Sequence, residues 1–152
     1  MPKLHQAFLN ISSYYGDRLV NILEAVQLIQ TRTFIRKISS FYEDDETDTK
    51  NRRLNRVCLL KTELLPQELN HHLQWIEKRI RTRNSIRNGI GIITLEILLF
   101  DDLIMDTPEL VLPHPLLHSS ISILQPLLEI APKLAIHPES GWAYRWSHRQ
   151  EW

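Results

Sequence analysis

Arg79, Arg81, Arg83 and Arg87 put four guanidinium groups into nine residues. Their planar forks suit phosphate or carboxylate oxygens, although the same run would serve equally as a solvated helix end. An opposite charge run lies earlier, where Glu43 to Asp48 holds five carboxylates in six residues. It reads as a solvated, self-repelling loop, with a magnesium trap or a partner-binding segment as the sharper alternatives. Thr94 and Glu96 occupy alternate positions in an apolar run, so a hydroxyl and a carboxylate should share one face of a strand. Ile93, Leu95, Ile97 and Leu99 should then pack on the other face. His114 sits between two prolines, a setting that also closes strands. His71 and His72 are neighbours on a helix, face different ways, and make no metal pair; both are expected at the surface. Cys58, the single cysteine, lies in an apolar strand pattern and reads as a reduced core residue.

The elements that must position these groups follow from periodicity. Leu4 to Ile11 reads as a first strand. A turn ends at Asp17, a good N-cap for a helix with Leu19, Ile22, Leu23, Val26 and Ile29 inward. Thr33 to Tyr42 and Leu54 to Thr62 read as strands, with Asn55 near the start of the latter. Pro66 opens a second helix whose Leu69, Leu73, Ile76 and Ile80 have helical spacing. Ile92 to Phe100 is a buried strand, a short run follows around Leu110 to Leu112, and Ile121 to Ile130 is a helix. This order predicts a ferredoxin-like α+β fold, an antiparallel sheet with helices mainly on one face.

Composition bounds the function. The 152 residues predict one domain spanning 1–152, with an aromatic and basic tail over 141–152. Eighteen basic and eighteen acidic side chains cancel, so no global field draws in nucleic acid or an anionic membrane. No apolar run is long enough to cross a bilayer, and the N-terminus lacks the apolar stretch of a signal peptide, so a cytoplasmic location is expected.

Longer motifs carry a resemblance. Asp106-Thr107-Pro108-Glu109-Leu110-Val111-Leu112-Pro113-His114-Pro115 and Pro126-Leu127-Leu128-Glu129-Ile130-Ala131-Pro132 are followed almost residue for residue in one enzyme family. Over about residues 4–140 the chain resembles the 6-hydroxymethyl-7,8-dihydropterin pyrophosphokinases of folate biosynthesis, which move pyrophosphate from ATP to a pterin. Ser13, Gly16, Asp17 and Arg18 match the family's first turn, and Leu54-Asn55 its Y-L-N, with Arg53 in place of the tyrosine.

The resemblance implies Mg2+ and ATP as cofactors and a hydroxymethyldihydropterin as the other substrate. It places Arg81, Arg83, Arg87 and His114 near the ATP phosphates, Asn55 at the pterin edge, and Thr94 and Glu96 where two aspartates would hold magnesium. The signature itself has changed. The family's G-P-R-x-x-D-[LIV]-D reads Gly89-Ile90-Gly91-Ile92-Ile93-Thr94-Leu95-Glu96, and its H-x-R-x-F reads His118-Ser119-Ser120-Ile121-Ser122. A metal carboxylate, two arginines and both ring-stacking aromatics are therefore replaced together. Impaired or absent catalysis is expected; the alternative is a non-catalytic module that binds a pterin, a nucleotide or a protein.

Overall fold

The structure is a computed structural model and describes residues 3–43, 52–84, 92–136 and 144–145. In chain order the elements are β1 (His5–Ser13), α1 (Arg18–Ile29), β2 (Phe34–Ile38), β3 (Tyr42–Glu43), β4 (Leu54–Thr62), α2 (Pro66–Asn84) and β5 (Thr94–Phe100). Then come β6 (Met105–Asp106), β7 (Val111–Leu112), a 3-10 turn (Pro115–His118), α3 (Ile121–Ile130), β8 (Ala135–Ile136) and β9 (Tyr144–Arg145). The main sheet runs β2-β4-β1-β5, with β3 also on β4, and every pairing is antiparallel. This is the expected α+β arrangement.

Alternation along the central strands builds two layers. Ala7, Leu9 and Ile11 of β1 join Cys58 and Leu60 of β4 and Leu95 and Ile97 of β5 against the inner faces of α1 and α2. Phe8, Val57, Leu59 and Leu98 face the other way and pack on Ile123, Leu127 and Ile130 of α3. Burying a side chain of this size contributes roughly 1.5–3 kcal/mol. α1 and α2 thus cover one face, while α3 crosses the opposite one.

Helix α1 begins as expected, with Asp17 Oδ1 accepting from Val20 N at 3.2 Å. Its buried stripe differs: Asn21, Ile22, Ala25 and Ile29 face inward, while Leu19 and Leu23 are exposed. In α2 the expected Leu69, Leu73, Ile76 and Ile80 are buried, and so is His72. His72 falls on the inward stripe three residues after Leu69, and its Nε2 meets the Leu28 carbonyl at 3.2 Å; His71 remains exposed. Burial pushes the His72 pKa down. Cys58 is fully buried in β4, and burial pushes its thiol up to about 12, which suits a core residue and not a nucleophile.

The strands depart from expectation in their bounds and in one facing: the first runs His5–Ser13 and the fifth begins at Thr94. The stretch from Thr33 to Tyr42 is two strands, not one. Ser39 interrupts it, because its Oγ accepts from Val57 N at 2.9 Å while its own N–H donates to Val57 O at 2.8 Å. Ile93, just before β5, and Leu95 and Ile97 within it lie in the layer under α1 and α2, as their alternation implies. Leu99 does not. The ladder with β1 slips between Phe8 and Leu9, so Leu98 and Leu99 oppose one position and Leu99 turns toward α3.

Candidate active site and family membership

The face of the sheet under α3 changes character halfway along. One end is apolar, at Phe8, Leu59, Leu98 and Leu99. At the other end the cross-strand rows are polar: Asn10 pairs with Glu96, and Ser12 pairs with both Asn55 and Thr94. Asn10, Ser12 and Asn55 are buried, so each needs a hydrogen-bond partner.

Glu96 is the centre of that end. Its Oε1 accepts from Asn10 Nδ2 at 3.2 Å, and its Oε2 lies 3.0 Å from His114 Nε2. Leu116 N–H donates to His114 Nδ1 at 3.1 Å, which assigns the ring proton to Nε2 and makes that atom the donor to Glu96. His114 N–H in turn donates to Leu98 O at 2.9 Å, so the proline-flanked segment is fixed against β5. Burial pushes the Glu96 carboxyl up. The hydrogen bonds from His114 and Asn10 and the nearby Arg53 guanidinium outweigh this, and the net shift is downward. Glu96 is therefore a carboxylate with both oxygens oriented and the charged form favoured.

Asn55 lies beside this pair. Its Nδ2 donates to Asn10 Oδ1 at 3.1 Å and to Ser122 O at 2.9 Å, while its Oδ1 is buried with no hydrogen-bond partner. Arg53 Nη2 donates to Ser122 Oγ, joining the start of β4 to the start of α3. Where two stacked aromatic rings would give a flat slot, this chain has a guanidinium and a serine in direct contact.

A cleft of about 360 Å³ runs along the outer edge of β5, between Asn70 of α2, Leu95, Glu96, Ile97, Val111 and His114. Glu77 of α2 closes part of that edge by accepting from Leu95 N–H at 2.8 Å. Burial pushes the Glu77 carboxyl up, opposed by Leu95 N–H and Arg81 and reinforced by Glu96.

The implied residues thus separate into groups. Glu96, His114 and Asn55 come together, and Thr94 sits one row further along their face. Arg81 is exposed on the last turn of α2. Arg83 points elsewhere: its Nε lies 2.6 Å from Glu24 and its Nη2 3.1 Å from Asn21 Oδ1, both on α1. Arg87, Gly89 and Gly91 lie outside the described residues, as does the acidic stretch beyond Glu43. Glu43 itself pairs with Arg18 at 2.9 Å and Arg52 at 3.5 Å. Sequence reasoning missed Asn10, which bridges Asn55 and Glu96. The signal was there, an amide between Leu9 and Ile11 in an otherwise apolar strand.

Fold and site together define a class: an antiparallel α+β protein with a cleft along an edge strand and an oriented carboxylate on its wall. The sequence comparisons make this specific. Residues 8–132 match the model of the 7,8-dihydro-6-hydroxymethylpterin-pyrophosphokinase family, and the chain belongs to that family. A 2-amino-4-hydroxy-6-hydroxymethyldihydropteridine pyrophosphokinase of Aquifex aeolicus is 37% identical over 133 residues, 86% of this chain and 82% of that one. The protein of the same description from Bacillus subtilis is 32% identical over 132 residues, 84% and 79% of the two chains. A Folic acid synthesis protein FOL1 of Dictyostelium discoideum is 32% identical over 133 residues, which are 86% of this chain but only 20% of that longer protein.

Proposed function

We propose that this chain is a folate-pathway pyrophosphokinase by descent whose transfer of pyrophosphate from ATP to hydroxymethyldihydropterin is severely impaired. The observation that carries this is that, of the two alternate positions 94 and 96 on the site's face, only one holds a carboxylate. Glu96 is charged and held by Asn10 and His114, while its neighbour on that face is the neutral Thr94.

The donor set fits one magnesium ion and not two. Magnesium takes near-octahedral oxygen ligands, usually one or two carboxylates completed by substrate phosphates. Glu96 supplies one such carboxylate beside a cleft large enough for part of a nucleotide. Thr94 offers an uncharged oxygen, and among the described residues no cluster of three or more His, Cys, Asp or Glu could hold a metal. A bound magnesium supplies charge neutralisation to the triphosphate. The chain's own contribution is to orient Glu96 through Asn10 and His114, and to offer Arg81 as a cation at the end of α2.

Lost metal stabilisation is worth several kcal/mol, and each 1.36 kcal/mol is about tenfold in rate. Together with glycine at position 91 and serine at positions 120 and 122, turnover should fall at least about a thousand-fold below an intact relative. AMP release from Mg-ATP with hydroxymethyldihydropterin tests this; turnover within tenfold of the Aquifex aeolicus relative would overturn it.

A second reading is a non-catalytic binder of the same ligands. It is favoured by the unpartnered, buried Asn55 Oδ1, an acceptor that a ligand N–H would satisfy once Ser122 gives way. Tight pterin or ATP binding without turnover would select it.

A further inference from the structure

We propose that Arg83 is a positioning residue of the scaffold and makes no phosphate contact: with Glu24 and Asn21 it forms a joint that holds the end of α2 and the start of β5 against α1.

The joint is built around Asn21, whose side chain is wholly buried. Its Oδ1 accepts from Arg83 Nη2 at 3.1 Å and from Asn84 Nδ2 at 3.4 Å. Its Nδ2 donates to Tyr15 O at 3.0 Å and points its other hydrogen between Ser13 Oγ at 3.3 Å and Ile92 O at 3.4 Å. Ser13 Oγ also donates to Ile92 O. One amide therefore contacts the end of β1, the turn after it, the last turn of α2 and the residue two before β5. Gly16 is part of the arrangement. At φ +75° it adopts a conformation that favours glycine, and a Cβ there would stand 3.1 Å from Asn84 Oδ1 and 3.3 Å from Asn21 Nδ2.

Arg83 closes the joint from outside. Its guanidinium spans Glu24 at 2.6 Å and Asn21 at 3.1 Å, a two-point contact that a planar fork makes and a point charge does not. Two of its donor groups are thereby committed to α1. Because Ile92 leads into the strand that carries Thr94 and Glu96, the joint sets where that strand begins.

The alternative is a latent phosphate ligand parked on Glu24, and the two predict opposite results when Glu24 is neutralised. The test uses the full chain, with urea unfolding and calorimetric titration of ATP and of inorganic tripolyphosphate. Arg83→Gln and Glu24→Gln should each raise the unfolding equilibrium constant about fivefold, and the double variant should be little worse than either. Arg83→Lys should recover Glu24 but not Asn21, and so rescue in part. Neither glutamine variant should change phosphate-ligand affinity by more than about twofold. Additive stability effects would overturn the joint. So would affinity that falls fivefold in Arg83→Gln, or that rises threefold in Glu24→Gln as a released arginine reaches the ligand. The stability half stands whether or not the cleft binds a nucleotide, so its failure is distinguishable from failure of the proposed function. Should Arg83→Gln fold poorly, Glu24→Gln alone still decides between the two readings.

Discussion

The two faces of the main sheet are cut from the same strands and put to different uses. Under α1 and α2 the middle of the sheet is apolar, through Ala7, Leu9 and Ile11 of β1, Cys58 and Leu60 of β4, and Leu95 and Ile97 of β5. Under α3 the same strands are apolar for half their length and then present Asn10, Ser12, Asn55, Thr94 and Glu96. The first face holds the molecule together through burial. The second gives up part of its burial to polar groups, of which Asn10, Asn55 and Glu96 hold one another in orientation. Polar groups on such a face can persist, because Asn10, Asn55, Glu96 and His114 are tied to one another.

The comparison can be broken by substitutions on either face. Leu60→Ala removes a fully buried side chain from the apolar face and should cost about 2–5 kcal/mol in urea unfolding. Asn10→Ala removes the donor to Glu96 and an acceptor for Asn55, and should cost about 1–3 kcal/mol. If Asn10→Ala proved as damaging as Leu60→Ala, the polar half would be a structural core in its own right. A smaller effect sharpens the edge between the faces. The Glu77 pKa is raised by burial, so its contribution to stability is complete below the ordinary carboxyl range and is lost as pH rises through the raised value. Glutamine can still accept from Leu95 N–H, so Glu77→Gln should match or slightly exceed the wild type in urea midpoint at neutral pH. That difference should close in acid; a large loss at neutral pH would show that the ionised form is needed.

Much of this was legible from local sequence. The two motifs around His114 and Glu129 are contiguous, and alternation along Ile93 to Ile97 placed Glu96 on the face opposite those apolar residues without reference to any partner strand. What was hidden depends on distant residues. The slip opposite Phe8 that turns Leu99 over arises in the pairing of two strands ninety positions apart. His72 is inward because α2 lies against the Leu28 carbonyl, and Leu19 and Leu23 are outward because Asn21 draws its own stripe of α1 inside. Arg83 looked like its neighbours in the basic run; only the fold shows Glu24 beside it.

The central claim is that one carboxylate, Glu96, remains to bring magnesium to the site. Calorimetric titration of ATP with and without magnesium tests it most directly, on the wild type, Glu96→Ala and the pair Thr94→Asp with Glu96→Asp. The account predicts a modest magnesium-dependent gain in ATP affinity for the wild type and its loss in Glu96→Ala. The restored pair should increase that gain by about tenfold or more, as a second carboxylate completes the ligand set. Magnesium dependence that survives intact in Glu96→Ala would contradict it.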